Sequence, residues 1–140
     1  MNAVLGLRGV DVEFRRLVEF AEEFARRCHL PDPERARLLI ILEELFTNAV
    51  RHGYPDGAQE GRIEVALAAK PGHIEIAFSD DGEPFDPLTQ VSPDFGQPPA
   101  ERPAGGLGLH ILRSLVDEAR YRREAGRNHL ALVRNLARSD

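Results

Sequence analysis

The chain has 140 residues, of which 42% are hydrophobic and 29% charged, with a formal net charge of −5. This composition suits one folded domain with an ordinary core, and no apolar run approaches the roughly 18 residues needed to cross a bilayer. The acidic balance argues against nucleic acid as a direct partner, and Lys70, the single lysine, is followed by Pro71 rather than Ser or Thr, which excludes a phosphate-binding P-loop.

The start, MNAVLGLRGVDVEF, lacks the basic segment and long apolar run of a secretion signal, so a cytoplasmic location is expected. Within it VLGL, residues 4–7, reads as a short strand. From about Val12 to Arg27, apolar Phe14, Leu17, Val18, Phe20, Ala21, Phe24 and Ala25 recur at helical spacing, with Glu13 early and Arg26 and Arg27 late, as the helix dipole favours. Cys28 is the only cysteine; it has no internal disulfide partner and is expected to pack rather than react. Asp32 is placed to cap a second helix, with Pro33 in its first position. That helix is predicted to run from about Pro33 to His52 and to stop at Gly53, before the turn formers of GYPDGAQEG.

Ile63, Val65 and Leu67 then alternate with Glu64, Ala66 and Ala68. Beyond a turn at residues 70–73, Ile74, Ile76 and Phe78 alternate with Glu75, Ala77 and Ser79, which predicts a hairpin. Residues 82–103 hold six of the ten prolines and little periodicity, the mark of a functional or mobile loop. AGGLGLHILRSLVDEA restores a helix with Leu109, Leu112, Leu115 and Val116 inward, and RYRRE, the Gly126 turn and HLALVRNL read as a second hairpin. Helices combined with antiparallel hairpins predict an α+β two-layer sandwich, the helices covering one face of a sheet of undetermined strand order.

Three segments carry chemistry. Glu44, Asn48 and His52 recur at intervals of four, on a stripe beside the apolar centre made by Leu38, Leu42, Leu45 and Ala49. Taken alone, such a stripe is more often a hydrogen-bonded or solvated flank than a site, and one His with one carboxylate is too few ligands for zinc. In FSDDGEPFDP, the alternation of Ile74, Ile76 and Phe78 extends to Asp80 and puts a carboxylate in phase with the face that meets the helices. Gly82 permits a close approach or a backbone conformation that a side chain would obstruct, although a plain strand-ending turn also favours Asp and Gly. In AGGLGLHIL, Gly105, Gly106 and Gly108, with Leu107 among them, open a helix, where free N–H groups and the positive dipole end suit phosphate; a flexible hinge is the bland alternative. Together the segments supply an acid for an adenine amino group, an amide and an acid for metal and phosphate, and a glycine cradle for anions.

In that order the segments resemble the GHKL (histidine-kinase-like) ATPase superfamily, and ILEELFTNAVRHGY with FSDDGEPFDP are similar to the small bacterial anti-sigma serine kinases of the RsbW and SpoIIAB type. The resemblance extends from about residue 3 to 136. It implies one histidine-kinase-like ATPase domain over residues 1–140, a mixed, mostly antiparallel sheet, and an ATP lid at about residues 83–104. It implies ATP and Mg²⁺ as ligands, with Asn48 coordinating the metal and Glu44 orienting or deprotonating the attacking hydroxyl. Asp80 with Gly82 would recognise adenine, and Gly105, Gly106, Leu107 and Gly108 would cradle phosphate. His52 would shape the pocket, Arg102 would reach a terminal phosphate, and Asn128 would lie near the adenine. Where the superfamily often has a second glycine, this chain has Pro84. The implied function is that of an anti-sigma factor and serine/threonine-protein kinase, which phosphorylates a STAS-type anti-anti-sigma protein and sequesters a sigma factor. Such proteins commonly form homodimers. The alternative is a non-catalytic nucleotide-sensing module that binds protein partners.

Overall fold

Five segments with alternating apolar side chains become the strands of one sheet: β1 (Asn2–Arg8), β2 (Arg62–Lys70), β3 (His73–Asp80), β4 (Glu118–Glu124) and β5 (Arg127–Asn135). The computed structural model describes residues 1–8, 11–53, 61–89 and 106–136, and these are the described residues below. The strand order is β1-β2-β3-β5-β4, with every pairing antiparallel. The sheet expected to be mostly antiparallel is therefore antiparallel throughout its described strands. In this register Asp80 lies opposite Asn128, Phe78 opposite Leu130 and Ile76 opposite Leu132. Directly opposed residues share a face, so the polar pair sits at the rim of the same surface that carries the apolar core.

That surface is covered by α1 (Phe14–Arg27), α2 (Asp32–Asn48) and α3 (Gly106–Leu115), with α2 packed between the other two. Leu17, Phe24, Leu38, Leu42, Leu45, Phe46 and Leu112 from the helices join Val65, Leu67, Ile76, Phe78 and Leu132 from the sheet in one buried cluster. The apolar stripes read from the sequence thus form the interface between the two layers. Helix α1 closes with paired hydrogen bonds, Leu30 N–H to Ala25 C=O at 2.9 Å and His29 N–H to Arg26 C=O at 3.2 Å, with His29 at φ 56° where glycine is usual. Cys28 donates its S–H to the Phe24 carbonyl at 3.1 Å, and burial pushes its thiol pKa up, in keeping with a packing role.

Several boundaries differ from the sequence expectation. Pro31, extended at φ −61° and ψ 152°, takes the cap position of α2; Asp32 is the first helical residue and makes no cap hydrogen bond, its carboxylate lying 3.7 Å from Arg35 instead. After Asn48 the α-helix gives way to a π turn over Ala49–Gly53. Helix α3 ends at Leu115, and Glu118 and Ala119, expected to be helical, begin β4. The chain is drawn into the sheet there because Asp117 N–H bonds to Val133 C=O at 2.7 Å and Arg134 Nη1 takes the Leu115 carbonyl at 2.6 Å.

Arg134 also forks onto Glu34 near the start of α2, with Nε to Oε2 at 2.8 Å and Nη2 to Oε1 at 3.0 Å. Glu34 is buried, and the Arg134 guanidinium holds its carboxyl below the usual carboxylate range despite that burial. One guanidinium thus joins α2, α3 and β5.

Candidate functional site

The spacing of Glu44 and Asn48 brings them onto adjacent turns of α2. Asn48 is only 5% exposed, and its Nδ2 donates to the Glu44 carbonyl at 2.8 Å. Its Oδ1 has no partner among the described residues, an uncommon state for a buried acceptor. The Glu44 side chain, half-buried, likewise has no hydrogen bond or ion pair among the described residues. Burial and the neighbouring Glu43 push its pKa up, while Arg51 opposes them. The π turn then fits extra backbone into the last turn, which carries His52. His52 stacks on Phe85 with ring centroids 4.1 Å apart and 12° between planes, and burial pushes its pKa down, which favours the neutral imidazole.

The end of β3 forms the opposite wall. Asp80 Oδ1 accepts Gly82 N–H and Asn128 Nδ2, each at 2.9 Å, while Oδ2 has no partner among the described residues. Burial pushes the Asp80 pKa up, and the bonds from Asn128 and Gly82, with the charge of Arg127, act against it. Gly82 is there for close approach rather than for a positive φ. A Cβ on it would lie 2.6 Å from both Cα and O of Gly53, whose carbonyl accepts Glu83 N–H at 2.9 Å. Pro84 costs no hydrogen bond in this loop. Asp81, Gly82, Glu83 and Phe85 all have bonded N–H groups, and the one missing donor falls on proline.

Asn48, Asp80 and Asn128 line one cavity of about 20 Å³ with Leu45, Gly53, Phe85 and Pro87. That volume holds about one water molecule. A larger open depression of about 1170 Å³ includes Glu64, Ala77, Arg120, Arg122 and His129 and contains none of the sequence-predicted site residues. The root of the expected lid is fastened down. Asn128 Nδ2 bonds Glu83 C=O at 2.8 Å, and Asn128 Oδ1 accepts Phe85 N–H at 3.2 Å. Arg113 Nη2 bonds the Leu88 carbonyl at 2.5 Å. Gly106, Leu107 and Gly108 form the first turn of α3, where backbone N–H groups lack helical partners. Arg102 and Gly105 lie outside the described residues.

The sequence reading missed Tyr121 and Arg123. Both are on β4, in phase with Ala119 and the helix-facing side of the sheet, and they bond Asn128 Oδ1 at 2.5 Å and Gly82 C=O at 2.7 Å respectively. The alternation in RYRRE carried that phase, but their partners become visible only with the β4–β5 register.

A family model of the histidine kinase-like ATPase domain matches residues 11–134. The chain belongs to the histidine kinase-like ATPase family. Among curated proteins, this ATPase domain is 33% identical over 94 residues to the serine-protein kinase RsbW of Oceanobacillus iheyensis, a match covering 64% of the chain and 58% of that kinase. It is 27% identical over 103 residues to the serine/threonine-protein kinase BtrW of Bordetella bronchiseptica, covering 74% of the chain and 72% of BtrW. The fold matches the structure of the RsbU and RsbW domains of Rv1364c from Mycobacterium tuberculosis with a TM-score of 0.70 at 22% identity, covering 99% of this chain and 33% of that one. The catalytic domain of the histidine kinase ThkA matches with a TM-score of 0.53 at 15% identity, covering 95% and 97% of the two chains. The expected fold and family are thereby borne out. In this ATPase domain Asp80 ends β3, Asn48 ends α2, and Gly106, Leu107 and Gly108 open α3.

Proposed function

We propose that this domain binds Mg²⁺ and ATP beside the cavity of Asp80 and Asn48. It transfers the terminal phosphoryl group to a serine or threonine of a STAS-type anti-anti-sigma protein, and in its other state it binds a sigma factor in the cytoplasm. The observation that carries the reading is that two buried side chains on one cavity, Asn48 and Asp80, each keep one oxygen without a partner among the described residues. Buried polar atoms without partners call for an occupant that supplies the missing bonds.

Asp80 Oδ2 would accept from the exocyclic amino group of adenine, and the first turn of α3 would bind phosphate through its N–H groups. Asn48 Oδ1 fits magnesium, which prefers oxygen donors and takes phosphates as further ligands. No group of three or more His, Cys, Asp or Glu among the described residues could hold a metal unaided. The metal would neutralise charge on the transferred phosphoryl group. Glu44, with no partner among the described residues and its proton affinity raised, would take the proton of the attacking hydroxyl as the oxygen–phosphorus bond to ADP breaks. Residues 83–89, the described start of the expected lid, are anchored through Asn128 and Arg113, and Arg102 would reach the terminal phosphate. No helix among the described residues is long and apolar enough to cross a membrane.

Terminally labelled ATP incubated with the domain and candidate STAS proteins tests the reading. Acid-stable label on a partner serine or threonine, lost in Glu44→Gln, supports it. Saturable ADP binding without transfer to any candidate would favour the non-catalytic module, and acid-labile label on histidine would refute the serine kinase.

A further inference from the structure

Asn128 is 4% exposed and has every hydrogen-bonding position filled. Its two amide protons go to Asp80 Oδ1 and the Glu83 carbonyl; its oxygen takes Phe85 N–H and Tyr121 O–H. The backbone decides this orientation. A flipped amide would set its NH₂ against Phe85 N–H and its oxygen against Glu83 C=O, two mismatched pairs in a buried place. With both amide protons committed elsewhere, the Tyr121 hydroxyl can only be the donor in its contact.

Arg123 secures the neighbouring peptide. Its guanidinium takes the Gly82 carbonyl, while the N–H of that same peptide, on Glu83, goes to Gly53 C=O. The Gly82–Glu83 peptide is therefore held at both ends, and Gly82 N–H stays aimed at Asp80 Oδ1. Two donors fill one carboxylate oxygen, and the other is left to act as an acceptor towards the cavity that Asp80 lines.

We infer that Tyr121 and Arg123, on the edge strand β4, are specificity-determining positioning residues: through Asn128 and Gly82 they present Asp80 to the base as a hydrogen-bond acceptor, which selects a 6-amino purine over a 6-oxo purine. The inference rests on the reading of Asp80 as the base-recognising acid. A 6-amino group donates to a carboxylate oxygen, whereas a 6-oxo group sets acceptor against acceptor, a repulsive element that rejects the wrong base. Tyr121 and Arg123 touch neither base nor phosphate in this scheme.

The test is calorimetric titration of the full chain with ADP and with IDP, in magnesium, alongside thermal melts. The wild type prefers ADP. Tyr121→Phe, which removes one hydroxyl, lowers the ADP-over-IDP preference by roughly two- to tenfold, the range for one hydrogen bond, with little change in melting temperature. Adding Arg123→Met lowers it further. Asp80→Asn is the reference and collapses the preference. If Asp80→Asn collapses it while Tyr121→Phe leaves it intact, or weakens both nucleotides equally, the positioning role is overturned and the base-recognition reading stands. If Asp80→Asn leaves the preference unchanged, the base-recognition reading falls, and the positioning role with it.

Discussion

Gly82→Ala is expected to damage both the fold and nucleotide binding, and the contacts around Gly82 set the scale. The new methyl would lie 2.6 Å from Gly53 Cα and 2.6 Å from Gly53 O. Both are backbone atoms, so no side chain can rotate out of the way. Relief requires the two segments to separate by roughly 0.9 Å to reach ordinary contact distances of about 3.5 Å. A shift of that size strains or breaks the 2.9 Å bond from Glu83 N–H to Gly53 C=O and disturbs the Gly82 N–H bond to Asp80. Overpacking costs about 1–3 kcal/mol and a lost hydrogen bond about 1 kcal/mol, so a loss of about 2–4 kcal/mol is expected. Gly53→Ala is the internal control, because its methyl would meet Asp80 Oδ1 and Gly82 Cα at 3.4 Å, near ordinary contact. Urea denaturation gives the stabilities, and calorimetric titration with ADP gives the binding. Equal stability and ADP affinity for the two variants would refute the close approach of these backbones and the account of Asp80 built on it.

Three further outcomes are expected. Arg134→Met removes the fork and leaves the buried Glu34 with Arg37 alone, 3.2 Å from its Oε1, and should cost about 2 kcal/mol at pH 7, less than for a buried charge with no partner. The Glu34 pKa is depressed below its ordinary 4.5 in the folded chain, so the contribution is complete above that value and fades as pH falls through the folded pKa. Stability differences from urea curves should therefore narrow between wild type and variant in acid; a gap that widens would refute the pairing. His29→Gly and Ala125→Gly each replace a residue at positive φ, 56° and 53°, and should stabilise by about 1 kcal/mol in thermal melts; a lowered melting temperature in both would contradict those backbone conformations. For the proposed kinase, burial raises the Glu44 pKa above its ordinary 4.5, so the acid limb of the turnover–pH profile should lie above that value and vanish in whatever activity Glu44→Gln retains.

Side-chain period made much of this architecture legible. The apolar repeats of α1 and α2 and the alternation of β2 and β3 specified which faces meet, and extending the β3 alternation placed Asp80 on the buried side. Helix α3 ran too long in the sequence reading because VDEA keeps a helical pattern; the bonds from Asp117 to Val133 and from Arg134 to Leu115 that stop it come from distant β5. The π turn at Ala49–Gly53 is a choice among backbone hydrogen bonds that leaves no side-chain period behind, so His52 looked like a continuation of the Glu44 and Asn48 stripe. Asn128 could be suspected but not understood, because its importance lies in being opposite Asp80, a register fact between strands 48 residues apart. Arg102 and Gly105 stay at the level of resemblance.

The Arg134 fork has a mechanical consequence for α3. Ten residues give this helix a length of about 15 Å, and its last carbonyl is pinned by a guanidinium that is itself locked to Glu34. Displacement at the Gly106 end therefore converts into rotation about a fixed far end rather than sliding. With such a fulcrum, a tilt of about 10° carries the glycine turn about 2.5 Å over a 15 Å arm, comparable to the reach of one hydrogen bond. The distant ion pair thereby sets how finely that turn can be aimed.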